Sequence, residues 1–198
     1  MRDLVLGREP KDFDVATNAR PEQVKRIFDR SRIIGRRFKI VHVRYGRGRE
    51  SETIEIATYR AATSIRPGQS KEKTSSTGRL LDDNAYGTLE QDVARRDFTV
   101  NALYYDPVRE VIIDHVGAMA DVQKRRLSMI GDVDRRFTED PVRMLRAVRF
   151  QAKLDLVPEP AIEEGIEDNA DLMLDVPPAR MFDEVLKLFH HVATAAPW

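Results

Sequence analysis

The chain divides by its hydrophobic pattern into a stretch that alternates and a stretch that repeats at helical spacing. Lys11 to Ala16 alternates, with Asp12 and Asp14 on one side and Phe13 and Val15 on the other, which predicts a short strand. Asn18 to Pro21 is a helix-start signal with Pro21 near the first helical position, and Val24, Ile27 and Phe28 continue it as an apolar stripe. Arg36 to Tyr45 is rich in β-branched and aromatic residues and predicts a strand. Arg47-Gly48-Arg49 turns it, and Thr53 to Tyr59 is its hairpin partner, with Ile54 and Ile56 on one face and Glu55 on the other. Residues 61–85 carry Ser, Thr, Lys and Gly with almost no periodicity, the pattern of a mobile loop. Leu89 to Arg95 reads as a helix, and Phe98 to Tyr105 and Val111 to Asp114 read as strands joined across Asp106-Pro107. Asp140-Pro141 opens a helix with Val142, Leu145, Val148 and Ala152 on one face. Pro177-Pro178 opens another with Phe182, Val185, Leu186 and Phe189. Mixed α and β elements followed by helices alone predict an α+β chain of two parts, with a boundary near residues 115–130.

Composition narrows the chemistry. The chain has 198 residues, no cysteine, and 33 basic against 33 acidic side chains. That length suits one domain, or a small domain with an attachment, and can bury a core without staples. Disulfides, thiolate zinc sites and thiol nucleophiles are excluded. No apolar run approaches the roughly 18 residues of a membrane span, and Met1-Arg2-Asp3-Leu4 has no export pattern; the expected location is cytoplasmic. The zero net charge is unevenly distributed. Residues 1–60 carry 15 basic and 9 acidic groups, residues 61–153 carry 16 and 14, and residues 154–198 carry 2 and 10. Such asymmetry suits a polyanion-binding module joined to something different, although an ordinary charged surface has the same composition.

Four constellations carry candidate chemistry. Asp12-Phe13-Asp14 would project two carboxylates to one side of a strand, where they can meet one or two magnesium ions; solvated strand edges carry the same pattern. Glu55, facing away from Ile54 and Ile56, is a third acid that could ligate or help activate a hydroxyl, or simply face solvent. Gly35-Arg36-Arg37-Phe38 and Arg95-Arg96-Asp97-Phe98-Thr99-Val100-Asn101 pair arginines whose guanidinium forks grip phosphate oxygens. Asp97 there could equally be a salt-bridge partner, and Asn101 could read a ribose hydroxyl or cap a turn. In Glu139-Asp140-Pro141-Val142-Arg143, Asp140 suits a helix N-cap. Arg143, Arg146 and Arg149 recur every three residues and would make a phosphate-facing flank, although a capped amphipathic helix also explains the pattern of caps. His42, His115, His190 and His191 show no metal-ligand spacing and read as structural or exposed.

In this order the segments resemble the class II template-independent nucleotidyltransferases, the family of bacterial poly(A) polymerases and tRNA CCA-adding enzymes. The matching residues are Arg2 to Gly7, Lys11-Asp12-Phe13-Asp14-Val15, Glu55 to Arg60, Arg95 to Asn101, Asp114-His115-Val116-Gly117 and Glu139 to Arg143, within a resemblance that runs from residue 2 to about 188. Ile33 to Val43, Leu80 to Gly87 and Asp175 to Arg180 are similar to the poly(A) polymerase branch.

The resemblance implies a polymerase β-like palm with a mixed sheet over residues 1–125 and a helical neck and start of a body over 126–198. It implies that Asp12 and Asp14 hold two magnesium ions, with Asp97 or Glu55 as the third acid. Arg96 and Asn101 would contact the phosphates or ribose of the incoming ATP, Asp140 and Arg143 would select adenine, and Arg146 would support the triphosphate. The activity implied is transfer of AMP from ATP to an RNA 3′ end, with no DNA or membrane partner. CCA addition to tRNA is the rival activity, and a silent RNA- or nucleotide-binding fragment is the rival of a different class. The family places a Gly-Gly pair and a strand ahead of the segment that starts here at Arg2, and its body continues past Phe189. The expectation is therefore a truncated product, a miscalled start or a fragment.

Overall fold

A computed structural model of the chain describes residues 1–35, 38–46, 51–61 and 85–195, the last six as backbone alone. The Arg36-Arg37 pair, the Arg47-Gly48-Arg49 turn, nearly all of the predicted loop, and the side chains of His190 and His191 lie outside the described residues. Contacts group the chain into two units. One holds the described residues between 8 and 95; the other holds Met1–Gly7, which contains the short helix α1 (Arg2–Val5), and residues 96 onward.

The first unit is built on a four-stranded sheet of β1 (Asp14–Thr17), β2 (Ser31–Ile34), β3 (Ile40–Tyr45) and β4 (Glu52–Thr58) in the order β1-β4-β3-β2. β1 runs parallel to β4, and the other pairs are antiparallel. The predicted hairpin of β3 and β4 forms, with Ile56 buried and Glu55 exposed. β2 was not predicted, because Ser31 and Arg32 interrupt its apolar run. Helix α2 (Pro21–Ile27) starts at Pro21, with the Gln23 side chain accepting from the Arg20 N–H at 2.8 Å. It buries Val24 against Val41, Val43 and Ile56. Its predicted stripe stops there: Ile27, the last residue of the helix, is 70% exposed. Helix α3 (Leu89–Ala94) begins in a reciprocal capping box of Thr88 and Gln91.

The second unit follows from one aromatic pair. Phe98 has no exposed surface and meets Phe150 edge to face, ring centroids 5.8 Å apart. Around it lie a 3₁₀ turn (Thr99–Asn101), the hairpin β5 (Tyr104–Asp106) and β6 (Val111–Ile113), α4 (Ala118–Gln123), and the paired short strands β7 (Arg126–Leu127) and β8 (Val157–Pro158). Helices α5 (Val133–Glu139), α6 (Val142–Leu154), α7 (Pro160–Asn169) and α8 (Pro178–Ala195) complete it. Phe137, Leu127, Leu154 and Ile162 fill the same core. Phe98, Val100 and Leu103 also belong to that core, so contacts divide the chain at residue 95.

Three local expectations change. Phe98 to Tyr105 is not one strand: Asn101 N–H donates to Phe98 O at 3.0 Å and tightens the chain into the 3₁₀ turn. The core face of α6 is Val142, Met144, Ala147, Phe150 and Leu154, and Val148 is exposed, because the bulk of Phe150 outweighs that of Ala152 on the predicted face. On α8 the predicted stripe faces out, with Phe182 and Phe189 each 64% exposed, and Glu184 is the buried residue because it pairs with Arg149 of α6. Among the described residues no helix is long and apolar enough to cross a membrane.

Gly165 on α7 tests the packing of this unit. A Cβ there would lie 2.6 Å from Val133 Cγ1 and 3.2 Å from the Phe137 ring, which is fully buried. Gly165→Ala should therefore lower unfolding free energy by about 1–3 kcal/mol, against the helix-propensity gain of about 1 kcal/mol. Urea unfolding checks this, and a net stabilisation would mean α5 and α7 can move apart freely.

Candidate functional site

In the sheet unit, register brings acids together. Asp14 opens β1, and its Cα partner on β4 is Glu55; the partner of Glu55 on β3 is His42, and that of His42 on β2 is Arg32. Side chains at matched positions share a face, so Asp14, Glu55, His42 and Arg32 form one row across the sheet. The opposite face carries Val41, Val43 and Ile56 over α2. His42 Nε2 stands 3.0 Å from Glu55 Oε1, close enough for charge attraction but not aligned as a hydrogen bond. Asp12 is exposed two residues ahead of Asp14 and precedes the strand, which starts at Asp14 rather than at Lys11; Phe13 between them is 66% exposed. Among the described residues no three acidic or imidazole side chains close around one point. The donors available are exposed hard carboxylate oxygens, which suits magnesium, since it takes one or two carboxylates and completes its shell with water and substrate phosphate.

In the second unit, Asp97 is the centre of a connected group. It is 8% exposed. Oδ2 accepts from Arg146 Nε at 2.7 Å, while Oδ1 accepts from the Phe98 N–H at 2.8 Å and from Asn101 Nδ2 at 3.0 Å. Burial pushes this carboxyl up, but the Arg146 charge, the Asn101 amide and the Phe98 N–H outweigh it and hold Asp97 below the ordinary range near 3.8. Asn101 Oδ1 accepts from Arg2, and Arg96 Nη1 donates to Asn101 O at 2.9 Å. The Arg96 guanidinium lies over the Tyr104 ring, 4.8 Å from its centroid. Arg96, Asp97, Asn101 and Arg146 are thus gathered as one network.

Asp140 and Arg143 stand at the turn between α5 and α6. Asp140 is not the N-cap of α6. It ends α5, Pro141 takes the cap position, and the Asp140 carboxylate reaches Arg180 instead, with Nη2 to Oδ2 at 2.9 Å. Its Oδ1 is sealed and makes no hydrogen bond. Arg143 Nη1 donates to Arg136 O at 2.7 Å and lies 3.3 Å from Glu139 Oε2. The expected cationic flank of α6 is accordingly not free. Arg143 has Glu139, Arg146 has Asp97, and Arg149 is buried with its Nε 2.8 Å from Glu184 Oε2.

Reading the sequence missed Glu184, Arg149, Arg136 and Arg180 as partners of these residues. Glu184 receives Arg149, Arg146 and Lys187, and Phe150 has the guanidinium groups of Arg149, Arg2 and Arg146 within 4.3, 5.2 and 5.4 Å of its ring centroid. The available signal was the spacing of Arg180, Glu184 and Lys187 along one helix face. Asp114 is likewise a structural acid, accepting N–H bonds from Val116, Ala118 and Met119 at the start of α4.

The Poly A polymerase head domain model matches residues 1–128, and the chain belongs to that family. A second model, described as the probable RNA and SrmB-binding site of polymerase A, matches residues 155–196. Poly(A) polymerase I of Haemophilus influenzae is 52% identical over 189 residues, which is 95% of this chain and 41% of the relative. The CCA-adding enzyme of Lactobacillus johnsonii is 35% identical over 95% of the chain and 44% of its own length. The Bacillus stearothermophilus CCA-adding enzyme in complex with CTP superposes with a TM-score of 0.78 at 33% identity, covering 94% of this chain and 42% of that one. The chain therefore spans about two fifths of the length of these relatives, and its fold is that of a nucleotidyltransferase.

The Asp97–Arg146 pair carries a stability prediction. A carboxyl whose folded pKa is depressed contributes stability that is present above its unfolded pKa near 3.8 and is lost as pH falls through the lower folded value. Stability should thus hold at pH 5–7 and fall below about pH 4, with a shallower acid limb in Asp97→Asn. Asp97→Ala at pH 7 should cost about 3–5 kcal/mol, because Arg146 loses its nearer acid and Asn101 Nδ2 and the Phe98 N–H lose their acceptor. Denaturant titrations across pH measure both, and an unchanged acid limb in Asp97→Asn would contradict the assignment.

Proposed function

We propose that the chain carries the catalytic part of a template-independent polynucleotide adenylyltransferase, which joins AMP from ATP to an RNA 3′ end. The observation that carries this reading is the pairing of Asp14 with Glu55 on the polar face of the sheet, two residues after Asp12. The 52% identity to a poly(A) polymerase I, against 35% to a CCA-adding enzyme, favours ATP and long A-tails over CCA addition.

Asp12 and Asp14 would hold two magnesium ions, which supply a lowered pKa at the RNA 3′-hydroxyl and charge neutralisation at the leaving pyrophosphate. Glu55, exposed beside Asp14, suits the third acid; Asp97, with both oxygens engaged, suits the positioning of Arg146. Arg96 and Asn101 contact the phosphates or ribose of ATP, and Arg146 supports the triphosphate as charge develops. Asp140 and Arg143 select the base. A carboxylate acceptor suits the exocyclic amino group of adenine and rejects the keto oxygen of guanine. The division of labour follows residues 1–125 as palm and 126–198 as neck and start of a body.

Incubation with magnesium, labelled ATP or CTP, and either oligo(A) or a tRNA lacking its CCA end tests the reading. Long A-tails from ATP are expected. CTP incorporation on tRNA would instead establish the CCA-adding activity. Binding of ATP or RNA without incorporation would make the chain a silent binding module. Asp12→Ala should lower the transfer rate at least about 100-fold while RNA affinity stays within about twofold.

A further inference from the structure

The row that holds the acid pair continues into cations. On the same face as Asp14, Glu55 and His42 lie Arg32 on β2 and Arg44 on β3. Arg44 is two residues beyond His42 and therefore shares its side, and Thr53 of β4 is the Cα partner of Arg44. Arg30 precedes β2 beside Arg44, whose N–H donates to Arg30 O at 2.9 Å. Arg30, Arg32, Arg44, His42 and Thr53 line an open groove along this edge, with Asp29 as the acid at its rim.

Three guanidinium groups against one carboxylate leave the groove cationic. Its arginines are not neutralised from within. Arg30 Nη1 donates to Gly46 O at 2.6 Å and Arg44 Nη2 to Ser51 Oγ at 3.0 Å, both uncharged partners. Each guanidinium has five N–H donors, so most remain available. Among the described residues Arg32 makes no ion pair, and all three arginines are exposed. The sheet thus has acids at the β1–β4 edge and cations at the β2–β3 edge. Three inter-strand steps of about 4.8 Å separate the edges by roughly 14 Å. That is beyond the triphosphate of a nucleotide seated on Asp12 and Asp14, and within reach of an RNA strand a few nucleotides upstream of its 3′ end.

We propose that this groove is a binding site for the phosphate backbone of the RNA strand whose 3′ end lies at the acid pair. The proposal rests on the adenylyltransferase reading for the direction of the strand. Guanidinium forks grip phosphate without reading sequence, so the groove adds affinity and register rather than base preference. It would favour substrates long enough to span both edges over a dinucleotide that reaches the acids alone.

Fluorescence anisotropy of the full chain with labelled oligo(A) of 2 and 8 nucleotides, at several salt concentrations, tests this, with magnesium-ATP binding measured in parallel. Arg32→Glu is the informative variant, because among the described residues Arg32 makes no ion pair that the substitution would break. It should weaken the longer RNA about tenfold and lower the slope of log affinity against log salt by about 0.7. Dinucleotide and ATP affinity should stay within twofold. Arg30→Gln/Arg32→Gln/Arg44→Gln should lower the slope by about 2 if all three meet phosphates. If the wild type binds the longer RNA and Arg32→Glu leaves its affinity and slope unchanged, the groove assignment is overturned while the adenylyltransferase reading stands. If the wild type binds no RNA, both fall together.

Discussion

The contact of Arg146 Nε and Nη2 with one oxygen of Asp97, Oδ2, is the constraint on which the second unit depends. It crosses from the segment after Arg96 to the middle of α6, and both partners stand beside the aromatic pair of Phe98 and Phe150. Removing a carboxylate and a guanidinium from water costs several kcal/mol each. Further bonds offset that cost: Asp97 takes the Phe98 N–H and the Asn101 amide, and Arg146 extends toward Glu184. Glu184 in turn holds Arg149 and Lys187, so α6 and α8 are joined by charge at a buried point. The order of arginines and acids therefore fixes where Arg96, Asn101, Asp140 and Arg143 can stand.

The same economy explains why arginine dominates α6. A stripe at three-residue spacing looks from the sequence like a surface offered to phosphate. Each of its members has instead been given an internal acid: Glu139 for Arg143, Asp97 for Arg146 and Glu184 for Arg149. Burial pushes Glu184 up, and its bond to Lys187 with the charges of Arg149 and Arg146 holds it below the ordinary Glu range. A guanidinium can bind one such acid and still present further N–H groups, which lysine could not do in fixed geometry.

Local chemistry was legible wherever one residue type has one use. Pro21 opening α2, the β3–β4 hairpin with Glu55 on its polar face, and the helix after Pro178 all follow from short-range rules. The ordered Asp-x-Asp, Arg-Arg-Asp and Glu-Asp-Pro segments identified the family. What escaped was set by tertiary partners. Asp140 looks like an N-cap because capping is the commonest use of Asp before Pro, yet Arg180, 40 residues away, takes its carboxylate. The apolar face of α6 was displaced because periodicity weighs Ala152 and Phe150 alike, while burial does not. β2 escaped because an edge strand with Ser31 and Arg32 has no apolar alternation to read.

In the proposed reaction the carboxylates of the two units would do different work: those of the sheet would serve the chemistry, and Asp140 the choice of base. The most direct measurement compares Asp14→Asn and Asp140→Asn in the full chain, scoring both the AMP transfer rate and the preference for ATP over GTP. The account predicts a double dissociation. Asp14→Asn loses transfer and keeps preferential ATP binding; Asp140→Asn keeps measurable transfer and loses the preference. Equal loss of both properties in both variants, or retained transfer in Asp14→Asn, would contradict it.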